Sequence, residues 1–313
     1  MDRLYIIGNG FDLYHGFSTR YSDFHTYLQE HCSELLELIN RYYFLENEVD
    51  LWADFEESLA NLDQNGLLED LNNFLPDTSS DDFCDRDWHA FSIEISSKVG
   101  ALTHELCEAF RQFILSATSL NGIDRHLRLQ RNSKFLSFNY SNTLEKHYLI
   151  PQSNIAYIHG KANDLSASIV LGHGIDPEEF KVKPEEQPEG LSEEDLERWH
   201  EYMSDNYDYA YEQGTEEVYG YFINSFKNTE QVIESHSEFF SSLIHIKNVY
   251  ILGHSLSEVD IPYFKKIHES LQFHCQWHIS YRGKDEYLEK REIVSDIGVS
   301  KQFIHMIEFS DLT

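Results

Sequence analysis

Leu4-Tyr5-Ile6-Ile7 is an uninterrupted apolar run that ends in Gly8-Asn9-Gly10-Phe11-Asp12. Apolar residues on both alternating positions predict a strand covered on both faces, as in the parallel sheet of an α/β fold. Similar runs predict further strands at 134–138, 154–158, 168–171, 248–252, 277–281 and 303–307, most of them ending in a polar or glycine-containing tip. Between the first two runs the period changes to that of a helix. Phe24, Leu28, Leu35, Leu36 and Ile39 share one side of a helical stretch that Thr19 or Ser22 can cap. Helical spacing recurs over 52–59 and 102–115, with a polar break at 76–82. Glu56 in the first of these segments is expected to be an exposed helix carboxylate. Ser192, with Asp195 three residues on, predicts the start of a polar helix. A helix is expected from about Asp260, with Pro262 early in it and Phe264, Ile267 and Leu271 on its apolar side.

Strand, helix, strand order predicts a doubly wound, mainly parallel Rossmann-like α/β sheet with large helical insertions. The expected organisation is one domain over 1–313, a helical insertion over 21–130 and an acidic helical insertion over 176–245. Within the second insertion, residues 176–217 hold 16 acidic residues against Lys181, Lys183 and Arg198, and Pro177, Pro184 and Pro188 mark an extended linker. A solvated helical excursion is the expectation there.

Charge narrows the function. The chain has 24 Lys and Arg against 55 Asp and Glu, a net charge of −31, and no basic patch is apparent. Such a surface repels a nucleic-acid backbone, so no direct nucleic-acid partner is expected. A phosphate-bearing small molecule, held locally, is not excluded. The four cysteines, at 32, 84, 107 and 275, form no CxxC pair, so neither a zinc ribbon nor a redox motif is written here. With no signal peptide and no apolar run of membrane-spanning length, a cytoplasmic protein without membrane contact is expected.

In an open α/β sheet the ligand crevice lies beyond the carboxyl ends of the strands. The residues expected there are Gly8, Asn9, Gly10 and Asp12, then Asn139, His159 and His173, then Gly253, Ser255 and Asp260. Glycines at a strand tip let the backbone approach a ligand closely. The first turn lacks the third glycine of the dinucleotide fingerprint, since position 13 is Leu13. Asp260 can serve either as a helix cap or as a ligand contact.

The order of these blocks is recognisable. Gly-Asn-Gly-Phe-Asp (8–12) with Gly-Phe-Ser-Thr-Arg (16–20), Phe-Asn-Tyr-Ser-Asn-Thr-Leu-Glu (138–145), Ile-His-Gly (158–160) and Leu-Gly-His-Ser-Leu-Ser-Glu-Val-Asp (252–260) resemble the AbiH family of bacterial abortive-infection proteins. More remotely they are similar to the sirtuin-like NAD-binding fold. That resemblance implies an anti-phage effector with NAD as substrate. Gly8 and Gly10 would approach the pyrophosphate, and Asn139 the nicotinamide ribose and the attacking water. His159 would act on the ribose hydroxyls, and Gly253 with Ser255 would hold the adenine half. The implied cofactor-binding set is Gly8, Asn9, Gly10, Asp12, Thr19, Gly253, Ser255 and Asp260, with Asn139 and His159 catalytic and no metal. Ser141 stands where the sirtuin pattern has an Asp, and Asp12 is the candidate replacement. The zinc module of the deacylases is missing, which favours hydrolysis of NAD over deacylation.

Two other functions compete with an NAD hydrolase. One is a nucleotide-sensing module that binds without chemistry; the other is a phosphoesterase with a metal held by His159, His173, His254 and Asp12. The expected partners are a small-molecule nucleotide and either a second copy of the chain or an activating protein.

Overall fold

The computed structural model describes residues 1–43, 52, 55–119, 122–123, 125–183, 186–188, 190–272 and 274–313. It holds one six-stranded sheet: β1 (Arg3–Ile7), β2 (Lys134–Ser137), β3 (Ile155–Tyr157), β4 (Asn248–Leu252), β5 (Gln276–Ser280) and β6 (Ile304–Ile307). The spatial order is β3-β2-β1-β4-β5-β6 and every pairing is parallel. Chain order reverses direction between β1 and β4. That point is the topological switch of a doubly wound sheet, where a crevice opens beyond the strand ends.

The uninterrupted apolar run of β1 is explained by burial on both sides. Leu4 and Ile6 join Leu136, Val249, Ile251, Trp277 and Ile279 on one face, while Tyr5 and Ile7 join Phe135, Phe11, Leu144 and Leu252 on the other. Alternate residues of a strand point to opposite faces, so neither face tolerates polar groups there.

After β1 the chain forms α1 (Asn9–Tyr14), α2 (Tyr21–His31), α3 (Ser33–Tyr42), α4 (Phe55–Ser58), α5 (Gln64–Asp70), α6 (Ala90–Gly100) and α7 (Leu106–Ala117). Of the expected 52–59 helix, Ala53 and Asp54 lie outside the described residues. The helix at 102–115 is in place, preceded by one π-helical turn over 101–105 that joins α6 to α7. Then come α8 (Thr143–Tyr148), α9 (Glu193–Asp205), α10 (Tyr209–Asn224), α11 (Thr229–Ser235), α12 (Ser237–Ser241), α13 (Ile261–Ser270) and α14 (Gly283–Asp296). Ser192 caps α9 by accepting from the Asp195 amide at 3.2 Å. No described helix is long and apolar enough to cross a membrane.

Three expectations need correction. Ser168–Leu171 is not a strand: Ile169 and Leu171 turn into the helical core, and a single backbone bond, Val170 N–H to the His159 carbonyl at 2.9 Å, ties the segment to β3's end. Helix α2 is not capped by Thr19 or Ser22. Asp23 accepts from the Arg20 amide instead, because the Thr19 hydroxyl is committed to Asn9. The acidic stretch is only half solvated, and Pro184 in its linker lies outside the described residues. Among its described side chains α9 has none that is fully buried, but α10 buries Ala210 and Gly214 and sends Val218, Tyr221 and Phe222 into the core shared with Phe24, Phe55, Phe91 and Phe110. The charges of this stretch fall in the segment before α9, on α9 and among the residues of α10 that are not buried, so composition hid a core helix.

The tightest contact between helices lies where α10 crosses α6. A Cβ at Gly214 would fall 2.3 Å from Phe91 Cε1 and 2.8 Å from Ile95 Cδ1, whereas one at Gly220 on the same helix meets nothing. Gly214→Ala is therefore expected to destabilise by about 1–3 kcal/mol. Gly220→Ala should stabilise by roughly 0.5–1 kcal/mol. Denaturant midpoints of the two variants, compared with wild type, check both signs.

Candidate functional site

The carboxyl ends of β1 and β4 meet through their glycines. Gly8 N–H donates to the Leu252 carbonyl (3.0 Å) and Gly10 N–H to the Gly253 carbonyl (2.7 Å). A Cβ on Gly8 would lie 2.4 Å from His254 Cα, and one on Gly253, whose φ is +69°, would lie 2.2 Å from Phe11 N. These glycines are required by the packing of two turns against each other. Their amides are spent on that contact, so the expected approach of Gly8 and Gly10 amides to a phosphate is not available in this conformation. Asn9 and Thr19 brace the same turn: Asn9 Nδ2 donates to the Thr19 carbonyl (2.8 Å) and Thr19 Oγ1 to Asn9 Oδ1 (2.6 Å).

Above the paired turns lies a cleft of about 830 Å³, within the range of small-molecule sites. Of the residues expected at the crevice, Gly8, Asn9, Gly10, Asp12, Thr19, Asn139, His159, Gly253, Ser255 and Asp260 line it and His173 does not. Ser255 is exposed at the mouth, whereas Asp12, Asn139 and His159 are buried at the floor. Phe110, Phe138, Tyr140 and Tyr21 supply apolar wall. His173 is elsewhere. It is packed among Phe180, Phe222 and Phe226, and its backbone bonds to Ser225 and Lys227 hold that segment in place.

Asp12, on α1, marks one end of the floor. Its Oδ2 accepts from Ser141 Oγ, and Thr143 and Asn139 stand close enough to lower its proton affinity. Burial outweighs them and pushes its pKa up to about 6. Ser141 is thus tied directly to the buried carboxylate. The Ser137 hydroxyl accepts from Asn139 N–H and donates to the Asn139 carbonyl, each at 3.2 Å, which fixes the residue at the β2 tip. The Asn139 Nδ2, Asp12 Oδ1 and His159 Nε2 atoms are all buried without a hydrogen-bond partner.

The other end is a charged network. Lys227, 2% exposed, places its Nζ 2.9 Å from Glu56 Oε2 and 3.1 Å from Asp260 Oδ1. The second contact is an ion pair whose angle is not that of a hydrogen bond. Glu56 also accepts from Tyr21 (2.6 Å) and Tyr140 (3.2 Å) hydroxyls. Glu56, expected to be exposed, is thus bound inward because a buried lysine needs a carboxylate. His254 Nδ1 accepts from Leu256 N–H at 2.9 Å, which leaves its Nε2 to carry a proton toward Asp260 Oδ2, 3.4 Å away. Ser257 Oγ donates to the same oxygen at 3.1 Å. Asp260 therefore does not cap α13; its side chain is taken up by Lys227, Ser257 and His254.

Burial is the largest influence on Asp260, Lys227 and His159. For Asp260 it acts upward, but the Lys227 cation and the His254 hydrogen bond outweigh it and hold the carboxyl well below the usual range. Burial lowers Lys227, and Glu56 with Asp260 more than restore it. For His159, burial and Lys227 together depress the pKa well below the ordinary imidazole value against the opposing pull of Asp260, 3.8 Å from Nε2. His159 is neutral at pH 7, oriented by a hydrogen bond of its ring with the Phe138 backbone.

Lys227 and Glu56 were not among the sequence candidates. Lys227 is the lone cation after a long apolar stretch, Tyr219 to Phe226, which is the one sign that it is buried. Among the described residues no group of three His, Cys, Asp or Glu side chains is arranged to hold a metal ion.

A family model described as Bacteriophage abortive infection AbiH matches residues 4–281, a span that holds every residue of the cleft floor. No curated protein and no solved structure matches the chain.

Two outcomes follow from the floor. Removing the buried cation with Lys227→Met leaves Glu56 and Asp260 uncompensated and should cost about 3–5 kcal/mol. Adding Glu56→Gln should restore part of that loss in a double-mutant cycle of denaturant melts. Asp12 has the opposite pH sense from a paired carboxylate. Its folded pKa of about 6 lies above the ordinary 3.8, so the stability it contributes is full below pH 4 and lost as pH rises through 6. Thermal melts between pH 4 and 8 should show Asp12→Asn gaining on wild type with rising pH, by about 3 kcal/mol at most.

Proposed function

Because the chain belongs to the AbiH family of bacteriophage abortive infection, we propose that it is an anti-phage effector that binds NAD in this cleft and hydrolyses its nicotinamide–ribose bond. One observation carries the proposal. Four residues that line a single cleft at the sheet's switch point, Asp12, Asn139, His159 and Asp260, each bury a side-chain polar atom that has no hydrogen-bond partner. Buried polar atoms are ordinarily hydrogen-bonded, so orphans gathered at one cleft are what an absent polar ligand would satisfy. The resemblance of the strand-tip blocks to the sirtuin-like fold supports NAD as that ligand.

In the proposed reaction the C1′–N bond breaks and its electron pair leaves on the nicotinamide nitrogen. An oxocarbenium-like centre develops at C1′, water adds to it, and one proton is released. Asn139, pinned through Ser137, orients the ribose and the water. His159, held neutral by burial, accepts a proton through Nε2. The adenine half lies toward Gly253 and Ser255, and the pyrophosphate meets Arg20 and Arg282, which are exposed at the mouth. Gly8, Gly10, Asn9 and Thr19 serve by shaping the turn. Asp260, ion-paired to Lys227, fixes the surroundings of His159.

The same depressed proton affinity favours the second function, a nucleotide-sensing module. A histidine so hard to protonate is a weak base, and catalysis operates best with a pKa near the working pH.

Nicotinamide release from NAD by the purified protein, alone and with extract of phage-infected cells, separates the two. Wild type is expected to release nicotinamide, and His159→Ala and Asn139→Ala should each reduce the rate by about 100-fold or more. Undiminished release by both variants rules out the assignment, and calorimetric NAD binding without release under either condition establishes the sensing module instead.

A further inference from the structure

The cleft floor holds two buried carboxylates, and only one has a cation. Asp260 lies 3.1 Å from Lys227 Nζ with two imidazoles beside it. Asp12, 2% exposed, has for neighbours the hydroxyls of Ser141 and Thr143 and the amide of Asn139. Among the described residues no Lys, Arg or His forms an ion pair with Asp12, and its Oδ1 has no hydrogen-bond partner. The buried lysine Lys161 is held by Glu145 at 3.1 Å. A buried carboxylate without a counter-charge is costly, and the neutral donors around Asp12 offset that cost only in part. The hydroxyl of Ser141 is directed to Oδ2, and the neutral side chains of Thr143 and Asn139 are the other groups that act on the carboxyl of this cleft-lining residue.

We infer that Asp12 is the counter-charge for a cationic centre of the ligand. On the NAD assignment above, on which this rests, that centre is the nicotinamide ribosyl end of the oxidised dinucleotide. It carries a positive pyridinium before cleavage and an oxocarbenium-like carbon during it. The inference goes beyond that assignment in naming the charge state the cleft selects and in making Asp12, on the cleft lining, a catalytic residue that acts on the reacting ribose through its charge. At pH 8 the carboxyl is ionised in spite of its raised pKa, so the charge is present when the ligand arrives. In a water-poor site, a fixed negative charge beside a developing positive one acts without reorganisation.

Two dinucleotides that resist hydrolysis test this. In carbocyclic NAD the pyridinium keeps its charge; in the benzamide analogue the ring nitrogen is replaced by carbon and the charge is lost. Calorimetry at pH 8 would measure both, and ADP-ribose, on wild type and on Asp12→Asn, an isosteric change. Wild type is expected to bind the cationic dinucleotide at least about tenfold more tightly than the neutral one. In Asp12→Asn the two affinities should converge to within about twofold, while ADP-ribose binding stays within about threefold of wild type and certifies the cleft. Equal affinities in wild type, or discrimination that survives in Asp12→Asn, overturn the role of Asp12 and leave NAD binding standing. Failure of wild type to bind any of the three overturns the NAD assignment and this inference with it. The wild-type comparison decides against the inference without the variant, should Asp12→Asn not fold.

Discussion

The rest of the structure depends on a backbone contact between two turns. Gly8 and Gly10 at the end of β1 touch Gly253 and His254 at the end of β4 with no room for a Cβ on any of the three glycines. β1 and β4 are neighbours at the switch point, so this contact closes the bottom of the crevice that the doubly wound topology opens. Asp12, one helical turn beyond Gly8, and Asp260, seven residues beyond Gly253, are thereby set on the same floor. A side chain at either turn would wedge the strand tips apart and separate the two carboxylates.

On that floor, charge links parts of the chain that the sheet does not. Glu56 comes from α4, Lys227 from the segment after α10, and Asp260 and His254 from the loop after β4. A buried lysine requires carboxylates, and the buried Asp260 requires a cation, so the helices on either side of β2 and β3 are drawn to one point over the strand ends. The shared apolar core of Phe55, Phe91, Phe110, Val218 and Tyr221 brings α4 and α10 near enough for the network to form. Packing supplies the proximity and the ion network supplies the register.

The two ends of the floor are tuned in opposite directions. Lys227 holds Asp260 ionised, burial with Lys227 keeps His159 neutral, and Asp12, with only hydroxyls and an amide, is pushed by burial toward the protonated form. Environments that drive neighbouring titratable groups apart are the usual means by which one site separates chemical roles. Here the unpaired carboxylate stands at the Asn139 end, beside the β2 tip, and the paired one beneath the histidines.

Much of this is legible in the residues alone. Two-sided apolar runs are written locally, so the strands 4–7, 134–138, 154–158, 248–252, 277–281 and 303–307 are predictable to within a residue or so, as are the polar tips that follow them. A parallel sheet requires those tips to share one edge, which is why Asn139, His159 and Gly253 group together on the strength of strand order. Ser168–Leu171 misleads because an apolar run records burial and not the partner that buries it; here the partner is a helical core. Glu56, Lys227 and the true roles of Thr19 and Asp260 are invisible for a related reason. Whether a charged or polar side chain faces solvent or a buried partner depends on residues tens or hundreds of positions away, as with Glu56 and Lys227, 171 positions apart. Local residue pattern is enough for the sheet, its polar edge and the crevice that edge implies. Which charges meet across that crevice follows from the folded chain alone, because ion pairing is set by three-dimensional proximity and desolvation, neither of which has a period along the chain.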